Sequence, residues 1–159
     1  MSQDIIDAID AIDAGYQAGN TASGGKNADY IPFLAKIPSN LFGIALITAD
    51  GQSFIRGDAD YKFALESISK VFTLALVMEN IGADAVKEKL GASPTGLPFN
   101  SVQALELHDG KPLSPLVNAG AIAAASLVPG DSAESCWANI LDMQTRFSLT
   151  VGERRPGGQ

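Results

Sequence analysis

Two stretches of this sequence place a serine three residues ahead of a lysine: Ser23-Gly-Gly-Lys26 and Ser67-Ile-Ser-Lys70. A hydroxyl beside an amine is a nucleophile with its own base, provided the two side chains are held together and the amine can accept a proton. Serine and lysine are common enough that about one such match is expected by chance in a chain of this length, so context decides. Ser23 and Lys26 lie in a glycine-rich run, GNTASGGK over residues 19–26, where nothing fixes one side chain against the other. Ser67 and Lys70 straddle the predicted start of an apolar helix, directly after a short extended piece, Phe63-Ala64-Leu65. Residues i and i+3 share a helix face. The free N–H groups and positive dipole end of a helix start disfavour a protonated lysine, as burial does. The same N–H groups, that of Ser67 included, can stabilise an oxyanion. The pattern equally fits Ser67 as an N-cap and Lys70 as a solvated first-turn residue.

The other reactive residue types are scarce. His108 is the only histidine, in a Glu-Leu-His-Asp-Gly turn sequence, so a Ser-His-Asp triad would have to use it; a surface or capping role is the alternative. With one histidine and one cysteine, Cys136, no metal site can be built from those two types. Cys136 has no partner for an internal disulfide and reads as a buried, inert thiol. Gly24-Gly25-Lys26 lacks the spacing of a phosphate-binding loop. Asn118 stands in an apolar helical pattern, Pro115-Leu-Val-Asn-Ala-Gly-Ala-Ile122, where asparagine is a poor helix former. Its small neighbours would let something approach closely; core hydrogen bonding and substrate contact both remain open.

The elements that must position these residues follow from periodicity and punctuation. Ile5, Ile6, Ile9, Ile12 and Tyr16 form one stripe of a first helix whose other side, Asp4, Asp7, Asp10 and Asp13, is expected to be solvated. After the Gly19–Lys26 loop the chain is expected to leave extended through Tyr30-Ile31-Pro32. Leu41–Thr48 reads as a buried strand, turned at Ala49-Asp50-Gly51 into a returning strand over Gln52–Arg56. The helix from Ser67 to Asn80 presents Val71, Leu74, Ala75 and Met78 as its apolar face and stops at Ile81-Gly82. A short helix spans Ala83–Leu90, residues 93–98 are loop, and a further helix runs from Pro115 to about Leu127. Asp131 with Glu134 reads as a capping box for a last helix in which Trp137, Ile140, Leu141 and Phe147 share a face. From Gly152 onward the composition turns to Gly, Pro and Arg without periodicity, as expected of a disordered tail.

Bulk properties narrow the class. A chain of 159 residues, 46% hydrophobic and 18% charged, is one globular domain that buries about 70% of its unfolded surface. A net charge of −7 without an internal basic cluster argues against nucleic acid and anionic membrane as partners. No apolar run is long enough to span a bilayer, and the first residues lack the basic-then-apolar order of a secretory signal. With a single cysteine, a cytoplasmic location is expected.

Four strings, in this order and spacing, resemble the glutaminase family: Gly-Lys-Asn-Ala-Asp-Tyr-Ile-Pro (25–32), Leu-Glu-Ser-Ile-Ser-Lys-Val-Phe (65–72), Pro-Thr-Gly-Leu-Pro-Phe-Asn (94–100) and Pro-Leu-Val-Asn-Ala-Gly-Ala-Ile (115–122). The resemblance covers about Ser2 to Ser148, is nearest to bacterial members, and leaves residues 149–159 as a non-matching tail. It implies an α+β fold of the β-lactamase and penicillin-binding-protein type, an antiparallel sheet against a helical cluster. It implies hydrolysis of the side-chain amide of L-glutamine to L-glutamate and ammonia through a covalent ester on Ser67, with Lys70 as base. Tyr30 is then near the leaving ammonia and the substrate, and Asn118 contacts the substrate's α-carboxylate or amino end. No cofactor and no metal are implied; a homo-oligomer, tetramer or dimer, is implied for complete members. Such members continue for about as many residues again, supplying a glutamate, another asparagine, two tyrosines and a strand valine that completes the oxyanion hole. The fold is therefore expected to be incomplete in these 159 residues, and the isolated chain inactive, at most associating with other subunits. A penicillin-recognising hydrolase would share Ser-x-x-Lys, but neither a Lys-Thr-Gly strand nor an export signal is found.

Overall fold

In the computed structural model, which describes residues 3–148, the chain divides into two compact units at Phe63/Ala64. The first contains helix α1 (Gln3–Asn20) and an antiparallel hairpin of β1 (Gly43–Ile47) and β2 (Ser53–Gly57). Ile44 lies opposite Arg56 and Leu46 opposite Phe54. Helix α1 buries Ile12, and Tyr16 stacks on Phe42 with ring centroids 5.7 Å apart. The acidic side of α1 is not simply solvated, because Arg56 Nε donates to Asp13 Oδ1 at 2.5 Å. Gly19, expected in the loop, belongs to the helix: a Cβ there would fall within the Phe42 ring, so only glycine admits that contact. The turn forms as expected, with Thr48 N–H donating to Gln52 C=O at 2.9 Å and Gly51 at φ 86°.

Two expectations for this unit fail. The Leu41–Thr48 run is not a buried strand: Leu46 and Ile47 are exposed, and within β1 only Ile44, next to Gly15 of α1, is partly covered. Nor does the chain leave its loop extended at Tyr30. Ile31 N–H closes a turn on Ala28 C=O, and Ile31 C=O then accepts from Ala35 N–H, leading into a 3-10 turn over Leu34–Lys36. Proline restrains Ile31 and is itself tolerated in the first turn of a helix, so it opens this coil.

The second unit is helical: α2 (Ser69–Ile81), α3 (Ala83–Leu90), α4 (Gln103–Leu107), α5 (Asn118–Ala125) and α6 (Ala133–Ser148). With the hairpin of the first unit this makes the chain α+β, the class expected. Helix α2 packs on α3, α5 and α6 around a core of Val77, Val86, Leu90, Ala124 and Val128. Val77 is wholly buried, which removes a side chain worth about 1.5–3 kcal/mol from water. The inward side of α2 is Thr73, Leu74 and Val77, so Leu74 of the expected face packs on the core while Val71 and Met78 are exposed. An almost wholly apolar helix carries no periodic signal to choose between faces. In α6 the inward side is Cys136, Ile140 and Met143; Trp137 and Leu141 are exposed, and Phe147 is exposed although its ring meets Phe72 at 5.3 Å.

Helix ends show the same mixture. Gly82 at φ 85° separates α2 from α3, and α3 ends at Gly91, as read from the sequence. The capping box of α6 sits one residue later than expected. Ser135 N–H donates to Ser132 Oγ, and Ser132 N–H to Ser135 Oγ, so two serines do the work assigned to Asp131 and Glu134. Helix α4 is absent from the sequence reading. The expected tail over residues 149–159 lies outside the described residues.

Arg146 of α6 grips Glu79 of α2 through both nitrogens at 2.9 Å, and this holds the Glu79 carboxyl below its ordinary value of 4.5. A depressed carboxylate contributes stability above its unfolded pKa and loses it as pH falls through the folded one. The stability difference between wild type and Glu79→Gln is therefore expected to be level above pH 4.5 and to vanish at more acidic pH, as read by urea unfolding across pH.

Candidate functional site

Ser67 is not the N-cap of α2. It stands in a 3-10 turn, Glu66–Ile68, just ahead of the helix; α2 starts at Ser69, is preceded by Ile68, and has no side-chain cap. Of the extended piece expected before it, Leu65 instead has helical angles, φ −65° and ψ −29°. What this leaves is an exposed Ser67 hydroxyl at the mouth of a helix whose second residue is Lys70.

Lys70 is not a solvated first-turn lysine either. It is partly buried, and its Nζ donates to Asn118 Oδ1 at 2.7 Å and to Leu116 C=O at 3.2 Å. The Phe99 ring lies below the same nitrogen, 5.9 Å from Nζ to ring centroid, within range of a cation–π contact. Two separate segments, residues 116–118 and the loop at Phe99, thus converge on one amine.

The Asn118 end of this contact is built by a tight fold of the chain. Asn118 is the first residue of α5, not one turn into it, because Val117 is extended (ψ 160°) and detaches the Pro115-Leu116 turn from the helix. Asn118 N–H donates to Phe99 C=O at 2.8 Å, tying the helix start to the loop after residue 94. The small residues after Asn118 admit the protein's own backbone: a Cβ on Gly120 would lie 1.8 Å from Ser114 C=O. Ser69, Lys70, Thr73, Asn118, Ala121 and Ile122 line a cavity of about 350 Å³ beside this contact. A larger cavity of about 520 Å³ in the first unit, between the hairpin and residues 27–39, touches none of the residues singled out by sequence.

The remaining candidates are placed as follows. Tyr30 belongs to the first unit, in the Ala28–Ile31 turn, and is 82% exposed. Lys26 Nζ bonds Asp29 at 2.7 Å, so the lysine of the loop pair is turned to a carboxylate and not to Ser23. His108 caps the end of α4 with its N–H on Leu105 C=O, which fits a capping residue. Among the described residues no cluster of three or more His, Cys, Asp or Glu could hold a metal ion, and no helix is long and apolar enough to cross a membrane. Sequence reasoning missed Phe99, Ser69 and the Leu116 carbonyl. Phe99 and Leu116 sit in two of the family-like strings, and that placement was the only signal available.

Comparison with known proteins identifies the family of the chain. The family model Glutaminase matches residues 25–152. A glutaminase of Brucella canis is 69% identical over 147 residues, which is 92% of this chain and 46% of that protein. Among solved structures, the probable glutaminase ybaS superposes with a TM-score of 0.84 at 58% identity, over 86% of this chain and 44% of that one. Mglu in its glutamate form superposes with a TM-score of 0.71 at 30% identity, over 90% and 32%. The chain therefore spans about half the length of the curated relatives it matches.

Gly120→Ala is expected to push Ser114 and the turn before Asn118 apart, costing about 1–3 kcal/mol of stability in chemical denaturation. Ala119→Gly, in the same helical turn, should lose less than that.

Proposed function

This chain belongs to the glutaminase family, and we propose that it carries the nucleophile and base of a glutaminase active site that is completed by residues outside this span. Ser67 Oγ attacks the side-chain amide carbon of L-glutamine while Lys70 Nζ takes its proton. The tetrahedral oxyanion is stabilised in part by the Ser67 N–H, and its collapse releases ammonia carrying the proton returned from Lys70. Water then attacks the Ser67 ester, Lys70 again relays the proton, and L-glutamate leaves with Ser67 restored. No metal or cofactor enters these steps.

The observation that carries this reading is the hold on Lys70, whose amine is fixed by Asn118 Oδ1 and Leu116 C=O one helical turn from Ser67. A structural lysine would serve as well on the surface; this one is drawn inward beside a cavity. Asn118 spends its carbonyl oxygen on Lys70, which leaves its two amide protons to donate to a substrate carboxylate. Ser67 binds the substrate as well as attacking it, and Tyr30 is assigned to the ammonia side of the same substrate. That Mglu has a structure in a glutamate form supports an amino-acid ligand of this size. The complete protein is read as a cytoplasmic homo-oligomer, tetramer or dimer, that binds neither nucleic acid nor membrane.

A second reading, association without catalysis, applies to the 159 residues by themselves. Ile122 is 73% exposed beside Lys70 and Asn118, and Val71 and Trp137 are exposed on α2 and α6, so apolar surface around the site is open.

The test joins residues 1–148 to the second half of the Brucella canis relative and measures ammonia release from glutamine. Ser67→Ala and Lys70→Ala are expected to reduce it to background with circular dichroism unchanged, whereas Ser23→Ala leaves it intact. Substantial turnover by a folded Ser67→Ala protein would remove Ser67 as nucleophile. Residues 1–159 alone should release ammonia at least about a hundredfold more slowly than the joined protein, because more than one substrate- or oxyanion-binding group is then missing.

A further inference from the structure

The residue before Ser67 is in a conformation that its side chain disfavours. Glu66 has φ 48°, one of three non-glycine residues with positive φ among those described. L-residues with a long side chain seldom adopt this region, and such outliers persist only where their surroundings enforce them. The enforcing contacts are local. Ile68 N–H closes a turn on Leu65 C=O at 3.2 Å, and of its two inner residues only Glu66 has positive φ, a conformation that glycine takes without strain. The Glu66 carbonyl then accepts twice from Ser69, from its N–H and from its hydroxyl at 2.7 Å.

The peptide fixed in this way is the one joining Glu66 to Ser67. It is planar and trans, so its N–H, which belongs to Ser67, points opposite to its C=O. Ser69 draws the carbonyl toward the start of α2 and thereby turns the Ser67 N–H away from the helix. A relaxed, right-handed Glu66 would either break the turn on Leu65 or move this peptide, and Ser67 with it, relative to the start of α2.

We propose that Glu66 and Ser69 form a positioning clamp: the left-handed backbone of Glu66, held through its carbonyl by the Ser69 hydroxyl, sets the direction of the Ser67 N–H and hydroxyl. The clamp rests on the reading of Ser67 as nucleophile. It acts through backbone geometry, so it requires of residue 66 the ability to hold positive φ, not a carboxylate, and of residue 69 a hydroxyl.

The test uses residues 1–148 joined to the second half of the Brucella canis relative and a small alkyl fluorophosphonate, whose phosphoryl oxygen needs the same N–H as an acyl oxyanion. Mass spectrometry of the peptides reads the rate of Ser67 labelling, and thermal unfolding reads stability. In wild type Ser67 is expected to label about tenfold faster than Ser23. Glu66→Gly should keep the wild-type rate and unfold at no lower temperature, because glycine takes positive φ without strain. Glu66→Val should slow labelling about tenfold or more. Ser69→Ala should slow it as well, and Ser69→Thr, which retains the hydroxyl, should restore it. A merely structural role would move the unfolding temperature and leave the labelling rate of the folded protein unchanged. Folded Glu66→Val and Ser69→Ala chains that label as fast as wild type would overturn the clamp alone. Wild-type Ser67 labelling no faster than Ser23 would overturn the nucleophile reading beneath it and the clamp with it. Should Glu66→Val not fold, the Ser69→Ala and Ser69→Thr pair decides: equal rates in the two overturn the clamp, and rescue by threonine upholds it.

Discussion

Everything at the site depends on how closely α2 and α5 approach. Val77 of α2 and Ala124 of α5 are both buried in the same cluster, and α5, Asn-Ala-Gly-Ala-Ile-Ala-Ala-Ala, has only one large side chain to keep the axes apart. The packing of these two helices brings the start of one to the start of the other. Lys70 and Asn118, 48 residues apart in sequence, meet at 2.7 Å as a result. A bulkier α5 would separate these two groups by ångströms and leave each to water.

The same economy of space explains the segment ahead of α5. Ser114 C=O lies so near Gly120 that no side chain fits between them, and Phe99 C=O takes the N–H of Asn118. The loop that begins at Pro94 and the turn at Pro115 are therefore parts of the site's frame, although neither contributes a reactive side chain. Lys70 is the point where they are joined to α2, through Leu116 C=O and the Phe99 ring. Removing the lysine would delete a contact shared by three segments, so a folding control accompanies any substitution there.

Backbone strain and exposed apolar surface both occur next to Ser67. Glu66 is held at positive φ immediately before it, and Ile68, Val71 and Ile122 are exposed about the same helix starts. A soluble domain stabilises its remote surfaces with polar groups, as α2 and α6 do with the Glu79–Arg146 pair. Around Ser67 such apolar groups are left open, and the chain covers 46% of the Brucella canis glutaminase that it matches.

The sequence by itself determined whatever local rules control. Gly82 and Gly91 end helices because only glycine takes their backbone angles cheaply, the Asp50-Gly51 turn closes the hairpin, and Ser67-x-x-Lys70 stands at a helix start. The strings around Tyr30, Ser67, Phe99 and Asn118 were enough to identify the family. Tertiary structure decided what an apolar pattern leaves open. Helix α2 is hydrophobic nearly all round, so its inward face, Thr73, Leu74 and Val77 instead of Val71 and Met78, was fixed by the neighbours it packs against. The Leu41–Thr48 run signalled burial, of which α1 supplies only partial cover at Ile44 within β1. The partner of Lys70 could not be read from spacing at all. It comes from a different helix, and only the close approach of two packed helices brings an asparagine 48 residues away to the lysine nitrogen.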